Sequence, residues 1–217
     1  MKVTWGDREW EWNDFDQKLL QVNDWTDDFD LALGYLPDDK RRVAIQAGGA
    51  MGLWPYQMSK HFSSVYTFEP NDGNWKCLHE NLKDTPNVFM FNSGLGKTAG
   101  FCTTKLPPSE QNNAGAFYTM PSTTGVPQVV LDEFAEDFLI KGKVDLIQLD
   151  VEGRELEVLQ GAAELIEASS PIIMLEEKPL PQDRETGHIV GRVEKYLTEL
   201  GYHVVRKIHR DIIFKRG

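Results

Sequence analysis

An α/β fold built on a mostly parallel sheet follows from three features of the 217-residue sequence. Short apolar runs of the kind that make buried strands alternate with segments of helical length, and that rhythm implies crossover connections. The first run, Val43-Ala44-Ile45-Gln46-Ala47, passes into Gly48-Gly49-Ala50-Met51-Gly52, a glycine turn that allows backbone to approach a ligand closely. The chain closes on two further runs, Tyr202-His203-Val204-Val205 and Asp211-Ile212-Ile213-Phe214, which read as an antiparallel pair. The turn alone has two readings, because tight strand-to-helix turns need glycine for steric reasons as well.

Taken in order, residues 1–42 are acidic and carry Trp5, Trp10, Trp12 and Trp25. Phe15, Leu19, Leu20 and Val22 give a partial helical stripe, so a short helical cap packed on the main domain of residues 43–217 is expected. Its aromatics would pack in the core or line a substrate mouth. After the strand at 43–47 and its turn, a helix is predicted over 53–62, then a strand at 64–68 ending on Glu69-Pro70-Asn71. A helix over 72–83 leads to Val88-Phe89-Met90-Phe91, a third strand ending at Asn92-Ser93-Gly94. Residues 95–128 break the rhythm, being dense in Gly, Pro, Ser, Thr and Asn, and read as a hairpin or two short strands carrying a loop over the site. A short helix opens at Val129-Val130-Leu131-Asp132-Glu133-Phe134. Val144-Asp145-Leu146-Ile147-Gln148-Leu149-Asp150 is a fourth strand, followed by a helix over 155–168 with Leu156, Leu159, Ala163 and Ile166 on one face. Pro171-Ile172-Ile173-Met174-Leu175 is a fifth strand ending at Glu176-Glu177-Lys178, and a helix after Gly187 runs to a glycine cap at Gly201.

Composition narrows the functional classes. A net charge of -11 argues against unassisted binding to a nucleic-acid backbone, which needs Lys and Arg to release counterions. The densest basic patch, Arg206-Lys207-Ile208-His209-Arg210 with Lys215 and Arg216, reads as the solvated side of the closing hairpin. Cys77 and Cys102 have neither metal-type spacing nor a disulfide framework around them. The N-terminus lacks the apolar core of a signal peptide, and no stretch approaches the ~20 apolar residues of a membrane span. A soluble, cytoplasmic protein is expected; its oligomeric state is left open.

In a parallel sheet of this kind ligands bind outside the carboxyl ends of the strands. Those ends carry Gln46 with Gly48, Gly49 and Gly52, then Glu69, Asn92, Asp150 with Glu152, and Glu176 with Glu177. The first three suit an adenosine-containing cofactor: the turn packs under the ligand, Glu69 takes ribose hydroxyls, and polar groups after the third strand reach the adenine. A dinucleotide site shares this layout, with an acid ~20 residues beyond the glycines. Against it stand a turn that is not G-x-G-x-x-G and the antiparallel edge at the end of the chain.

Residues 43–201 resemble the FkbM-like S-adenosylmethionine-dependent methyltransferases. The resemblance rests on Gly48-x-x-x-Gly52, on Phe68-Glu69-Pro70-Asn71 with Leu78, Asn81 and Leu82, on Leu131-Asp132, and most specifically on Asp145 through Gly153 with Glu155, Val158, Leu159 and Gly161-Ala162. It implies the Rossmann-like class I methyltransferase fold: a seven-stranded sheet with its last strand antiparallel and helices on both faces. It also implies S-adenosylmethionine as cofactor and methylation of oxygen, often a hydroxyl of a saccharide or natural product. The family's turn usually reads Asp-x-Gly-Ala-Asn-x-Gly, so Gln46 and Ala50 depart from it. The acid usually engages the cofactor ammonium; here glutamine keeps an acceptor without charge, and the job would stay with Gln46 or pass to Asp150 or Glu152. A degenerate, non-catalytic relative is the other reading of the same departure, and a nucleotide- or nucleic-acid-directed methyltransferase is a further alternative.

Methyl transfer to a hydroxyl needs positioning and a route for the proton. Asp150, Glu152 and Glu176 at neighbouring strand ends are the expected catalytic carboxylates, acting as a general base or holding one Mg²⁺ against a substrate diol. Glu152 could instead cap the helix that follows, and Glu177 would face solvent if Glu176 points inward. Asn112, Asn113, Lys178 and His188 are candidate contacts to a small-molecule or saccharide substrate, Lys178 to an anionic one; the alternatives are turn-forming asparagines, a surface ion pair for Lys178 beside Glu176, and a surface loop histidine.

Overall fold

The computed structural model describes residues 1–6, 8–17, 26–178, 191–208 and 210–217. The predicted strands form one seven-stranded sheet. Five parallel strands, β3 (Val43–Ala47), β4 (Ser64–Phe68), β5 (Val88–Phe91), β10 (Val144–Leu149) and β11 (Ile172–Glu176), are joined by β12 (Tyr202–Ile208) and β13 (Asp211–Arg216). Their order is β5-β4-β3-β10-β11-β13-β12, and β13 runs antiparallel to both its neighbours. β3 and β10 lie at the centre, so their carboxyl ends face the crevice where the strand order reverses.

Strand alternation divides the core in two. Val43, Ile45, Tyr66, Phe68, Ile147, Leu149, Ile173 and Leu175 face one side. They pack under α4 (Leu131–Asp137), α5 (Glu155–Gln160), α6 (Ala163–Ser169) and α7 (Arg192–Glu199). Ala44, Val65, Leu146, Met174 and Ile213 face the other side, with α1 (Thr26–Leu33), α2 (Leu53–Ser59) and α3 (Asp72–Leu82). Gly201, with φ +82°, follows the end of α7 as the sequence anticipates.

Three regions differ from the sequence expectation. The first residues are not helical: β1 (Lys2–Trp5) and β2 (Arg8–Glu11) form an antiparallel hairpin. The hairpin is fixed by Asn81, whose amide donates to the carbonyls of Glu11 and Met51 and accepts from the Glu11 N–H. Trp10 is fully buried in the second core cluster and packs there, whereas Trp12, buried beside it, also borders the cavity. Leu19, Leu20, Val22 and Trp25 lie outside the described residues. The 95–128 segment is more regular than expected. β6 (Gly94–Leu95), β7 (Gly100–Lys105), β8 (Tyr118–Ser122) and β9 (Val126–Val129) make a separate four-stranded sheet, with 3-10 turns at Pro108–Glu110 and Ala114–Ala116. Finally, the helix expected over 155–168 is broken at Gly161-Ala162 into α5 and α6. A Cβ on Gly161 would stand 2.3 Å from the Gly96 carbonyl oxygen, so the break lets the two segments touch. Asp132 then caps α6 by accepting the N–H groups of Glu164 and Leu165, which accounts for the Leu131-Asp132 and Gly161-Ala162 parts of the motif.

Candidate active site

A cavity of about 790 Å³ opens at the carboxyl ends of the central strands. Its floor is the glycine turn. The N–H groups of Gly48 and Gly49 both donate to the Phe68 carbonyl, which ties the turn to the end of β4. Glycine is required here twice over. Gly48 has φ +86° and a Cβ on it would stand 2.0 Å from the Asp150 carbonyl oxygen; a Cβ on Gly49 would strike Leu78 at 2.4 Å. Gly52 is not in the cavity wall and packs on Leu82 instead.

Gln46 is not a cavity residue either. It is fully buried, its Oε1 accepts the Thr67 hydroxyl and its Nε2 donates to the Gly48 carbonyl at 3.0 Å. Both ends of the carboxamide therefore brace the turn, and the acceptor expected for a cofactor ammonium is already used. Ala50, the other departure, sits in the left-handed region with φ 44°. Its N–H is held by Glu69 Oε2 at 2.7 Å, while Glu69 Oε1 accepts from Asn71 at 2.8 Å. Burial raises the Glu69 carboxyl to about 7 against those hydrogen bonds, which pull it down. A carboxylate accepts more than two hydrogen bonds, so Glu69, in the cavity wall, keeps capacity for a ligand hydroxyl. Asn92 points away: its Nδ2 donates to Asp72 at 3.1 Å. The next residue, Ser93, lines the cavity instead, with a buried Oγ that has no hydrogen-bond partner among the described residues.

At the other end the expected carboxylate cluster is present and carries its own cation. Lys178 Nζ lies 2.9 Å from Asp150 Oδ1, 2.5 Å from Glu152 Oε1 and 3.1 Å from Glu176 Oε2. Burial by itself would lower the Lys178 ammonium, but the charges of Asp150, Glu152 and Glu176 outweigh it and hold it above the ordinary lysine range. This corrects two expectations. Lys178 is an internal counter-ion rather than a substrate contact, and it stands where Mg²⁺ was expected. Among the described residues no group of three His, Cys, Asp or Glu side chains is arranged to hold a metal, so the donor set does not fit one. Glu152 does not cap the following helix; it holds a left-handed backbone with φ 57° and directs its carboxylate to Lys178. Glu155 accepts the Gly153 N–H at 3.0 Å, and burial raises its carboxyl to about 8. Glu177 does not face solvent, because its Oε1 accepts the Val193 N–H at the start of α7.

The remaining wall comes from the N-terminal segment, the start of α2 and the segment between β7 and β8 of the second sheet. Trp12, Trp54 and Phe117 line it, with Glu110 and Asn113 between them. Trp12 Nε1 donates to Asp16 Oδ2 at 2.7 Å, and Asp16 Oδ1 accepts the Ala114 N–H at 3.0 Å. Asn74, between the two, donates to the Ala114 carbonyl and accepts from Asn13. Asn113 uses its side chain to cap Gly115 and to bond Glu110. Asn112 is not in the wall; it holds φ 63° in the turn, and its carbonyl accepts from Gln17. His188 lies outside the described residues. Sequence reasoning misses Ser93, Gln148, Glu110 and Arg210 as cavity residues. Of these Gln148 alone carries a signal, as a polar residue inside a largely apolar buried strand.

With this geometry in place, the comparison with known proteins is direct. The family described as "Methyltransferase FkbM domain" matches residues 56–204. The chain belongs to the FkbM methyltransferase family. A curated relative, the hexuronic acid methyltransferase AglP of Haloferax volcanii, is 29% identical over 113 residues, which cover 52% of this chain and 46% of that protein. The crystal structure of an FkbM methyltransferase from Methylobacillus flagellatus superposes with a TM-score of 0.56 at 16% identity, covering 84% of this chain and 45% of that one. The precorrin 8w decarboxylase of Methanobacterium thermoautotrophicum reaches a TM-score of 0.50 at 14% identity, covering 93% and 96% of the two chains. This chain thus spans less than half of its AglP and FkbM relatives, and the two superpositions establish the class I methyltransferase fold alone. Among the described residues, no helix is long and apolar enough to cross a membrane.

Proposed function

We propose that this FkbM-family protein is an S-adenosylmethionine-dependent methyltransferase that methylates a hydroxyl oxygen of a saccharide or glycosylated small molecule. The observation that carries the proposal is the continuity of the cavity, which joins the glycine turn and Glu69 to the Asp150 cluster and to an aromatic wall. The residues fit the cofactor on two counts: Glu69 retains acceptor capacity for ribose hydroxyls, and Ser93 Oγ is a buried polar atom with no hydrogen-bond partner among the described residues.

When bound, the cofactor supplies a sulfonium-activated methyl group, so the protein's task is to place the acceptor in line and remove its proton. Gly48, Gly49, Glu69 and Ser93 would hold the cofactor in the cavity. The hydroxyl proton passes to a carboxylate. Among the three that surround Lys178, Asp150 is the most open, with 37% side-chain exposure against 19% for Glu176 and 8% for Glu152, so it is assigned as the base. Glu152 and Glu176 fix Lys178, and Lys178 orients Asp150.

A sugar acceptor is supported by the wall chemistry. Trp12, Trp54 and Phe117 offer apolar ring faces for sugar C–H groups, and Glu110 and Asn113 offer hydrogen-bonding groups between them. The relationship to a hexuronic acid methyltransferase points to the same class. The free thiols Cys77 and Cys102 suit a reducing, cytoplasmic setting. The test is calorimetry with S-adenosylmethionine and S-adenosylhomocysteine, followed by transfer of labelled methyl to saccharides, nucleosides and RNA. Binding of both ligands and labelling of a saccharide is the expected result. Labelling of nucleosides or RNA would replace the acceptor class, and binding without transfer to any acceptor would favour a non-catalytic relative.

A further inference from the structure

The cavity contains one buried amide that neither the fold nor the proposed chemistry uses. Gln148 sits on β10, paired in register with Gln46 on β3. Both glutamines are buried, Gln46 at 0% and Gln148 at 1% exposure. Their hydrogen bonding differs completely. Gln46 is satisfied at both ends, whereas Gln148 Oε1 has no hydrogen-bond partner among the described residues, and Gln148 lines the cavity. A buried acceptor left unpaired costs roughly 1–3 kcal/mol, and Val, Ile or Leu would avoid that cost in a largely apolar central strand. A polar side chain kept in such a place has its partner in a ligand.

Resting on the proposed cofactor, we infer that Gln148 is a cofactor-binding residue that accepts a hydrogen bond from the ammonium of the amino-acid end of S-adenosylmethionine. Three observations favour that group. The strand order places Gln148 on β10, on the opposite side of the glycine turn from Glu69 on β4 and Ser93 after β5, so it serves the end of the ligand remote from the ribose. Asp150, Glu152 and Glu176 stand against the two cations Lys178 and Arg210, which leaves a small local excess of negative charge that suits a cationic donor. The nearest alternative acceptor, the Gln46 carboxamide, is closed to it. Gln148 thus supplies from the fourth strand an acceptor that the first strand's glutamine has committed to the turn.

The test uses Gln148→Met, close in shape and without hydrogen-bonding atoms, and three ligands: S-adenosylmethionine, S-adenosylhomocysteine and 5′-methylthioadenosine, which lacks the amino-acid end. Calorimetry without any acceptor substrate is expected to show affinity for the first two falling about tenfold, as for loss of a hydrogen bond to a charged group. Affinity for 5′-methylthioadenosine should stay within about twofold, and the ligand-free variant should melt at or above the wild-type temperature, because an unpaired buried group has been removed. A structural role would instead lower the melting temperature and weaken all three ligands alike, which overturns the inference. Unchanged affinity for all three overturns it as well, and if only the acceptor's KM then rises, Gln148 contacts the acceptor. Wild-type protein that binds none of the three would overturn the proposed cofactor itself, a result separate from any effect of the substitution.

Discussion

Replacing Lys178 by methionine tests whether the carboxylate cluster depends on its internal cation. Each contact near 3 Å is worth roughly 5 kcal/mol of gross attraction at an effective dielectric of about 20, but desolvation cancels most of it. Removing one partner of a buried ion pair costs roughly 3–5 kcal/mol. Asp150 is 37% exposed, and solvent screening discounts its share, so the lower end, about 3 kcal/mol, is expected near pH 8. Without the ammonium, Asp150, Glu152 and Glu176 face one another as like charges, and neighbouring like charges raise a carboxyl. For carboxyls raised in this way the folded state binds more protons than the unfolded state at intermediate pH. Stability is then greatest in acid and declines as pH increases through the raised values. The deficit of the variant should therefore shrink towards pH 5. Urea denaturation of both proteins at about pH 5 and about pH 8 measures it. An equal deficit at the two pH values, or none near pH 8, would refute the assignment of Lys178 as the counter-ion of the cluster.

The same sign argument applies to Glu155, whose carboxyl is raised from 4.5 to about 8 by burial. Glu155→Gln keeps an acceptor for the Gly153 N–H and should raise the melting temperature near pH 8 while leaving it nearly unchanged near pH 5. Each tenfold difference in proton affinity between the folded and unfolded states is worth about 1.4 kcal/mol. If a cation is what the cluster requires, Lys178→Ala should gain thermal stability from millimolar Mg²⁺ while wild-type protein does not, as read by differential scanning calorimetry. Trp12→Ala removes a buried ring and the hydrogen bond to Asp16; a loss of about 3–5 kcal/mol and faster amide exchange over residues 113–117 are expected. Asp132→Ala strips two N–H groups of α6 of their acceptor and should cost about 1–2 kcal/mol in chemical denaturation.

The sheet is legible in the sequence because its strands are short, apolar and bounded by punctuation that strands and helices share. Val144–Leu149 is apolar at four of six positions and ends at an acid, and that suffices to place it centrally. The closing pair is legible for the same reason. The N-terminal hairpin is not. Arg8–Glu11 has only Trp10 as a buried residue, so no periodicity marks it, and its position depends on Asn81, 70 residues away from Glu11. The break at Gly161 is equally invisible, since it is imposed by the Gly96 backbone from a different part of the chain. At the site, the residue types at the strand ends are readable but their partners are not. Lys178 reads equally as a substrate contact or a partner of Glu176, because sequence conceals the convergence of Asp150 and Glu152 on the same nitrogen.

The two glutamines locate the boundary between what the protein does for itself and what it leaves to a ligand. They occupy equivalent places on adjacent central strands, in register and equally buried. Gln46 belongs to the turn: with Thr67 on one side and the Gly48 carbonyl on the other, it fixes backbone whose conformation only glycine tolerates. Gln46 Nε2 donates to the Gly48 carbonyl, a contact that a carboxylate at that position could not make. One strand further on, the carbonyl oxygen of the same side chain has nothing to bind among the described residues. The cavity starts where the internal hydrogen bonds stop, and the residue that marks its edge is the acceptor the glycine turn no longer provides.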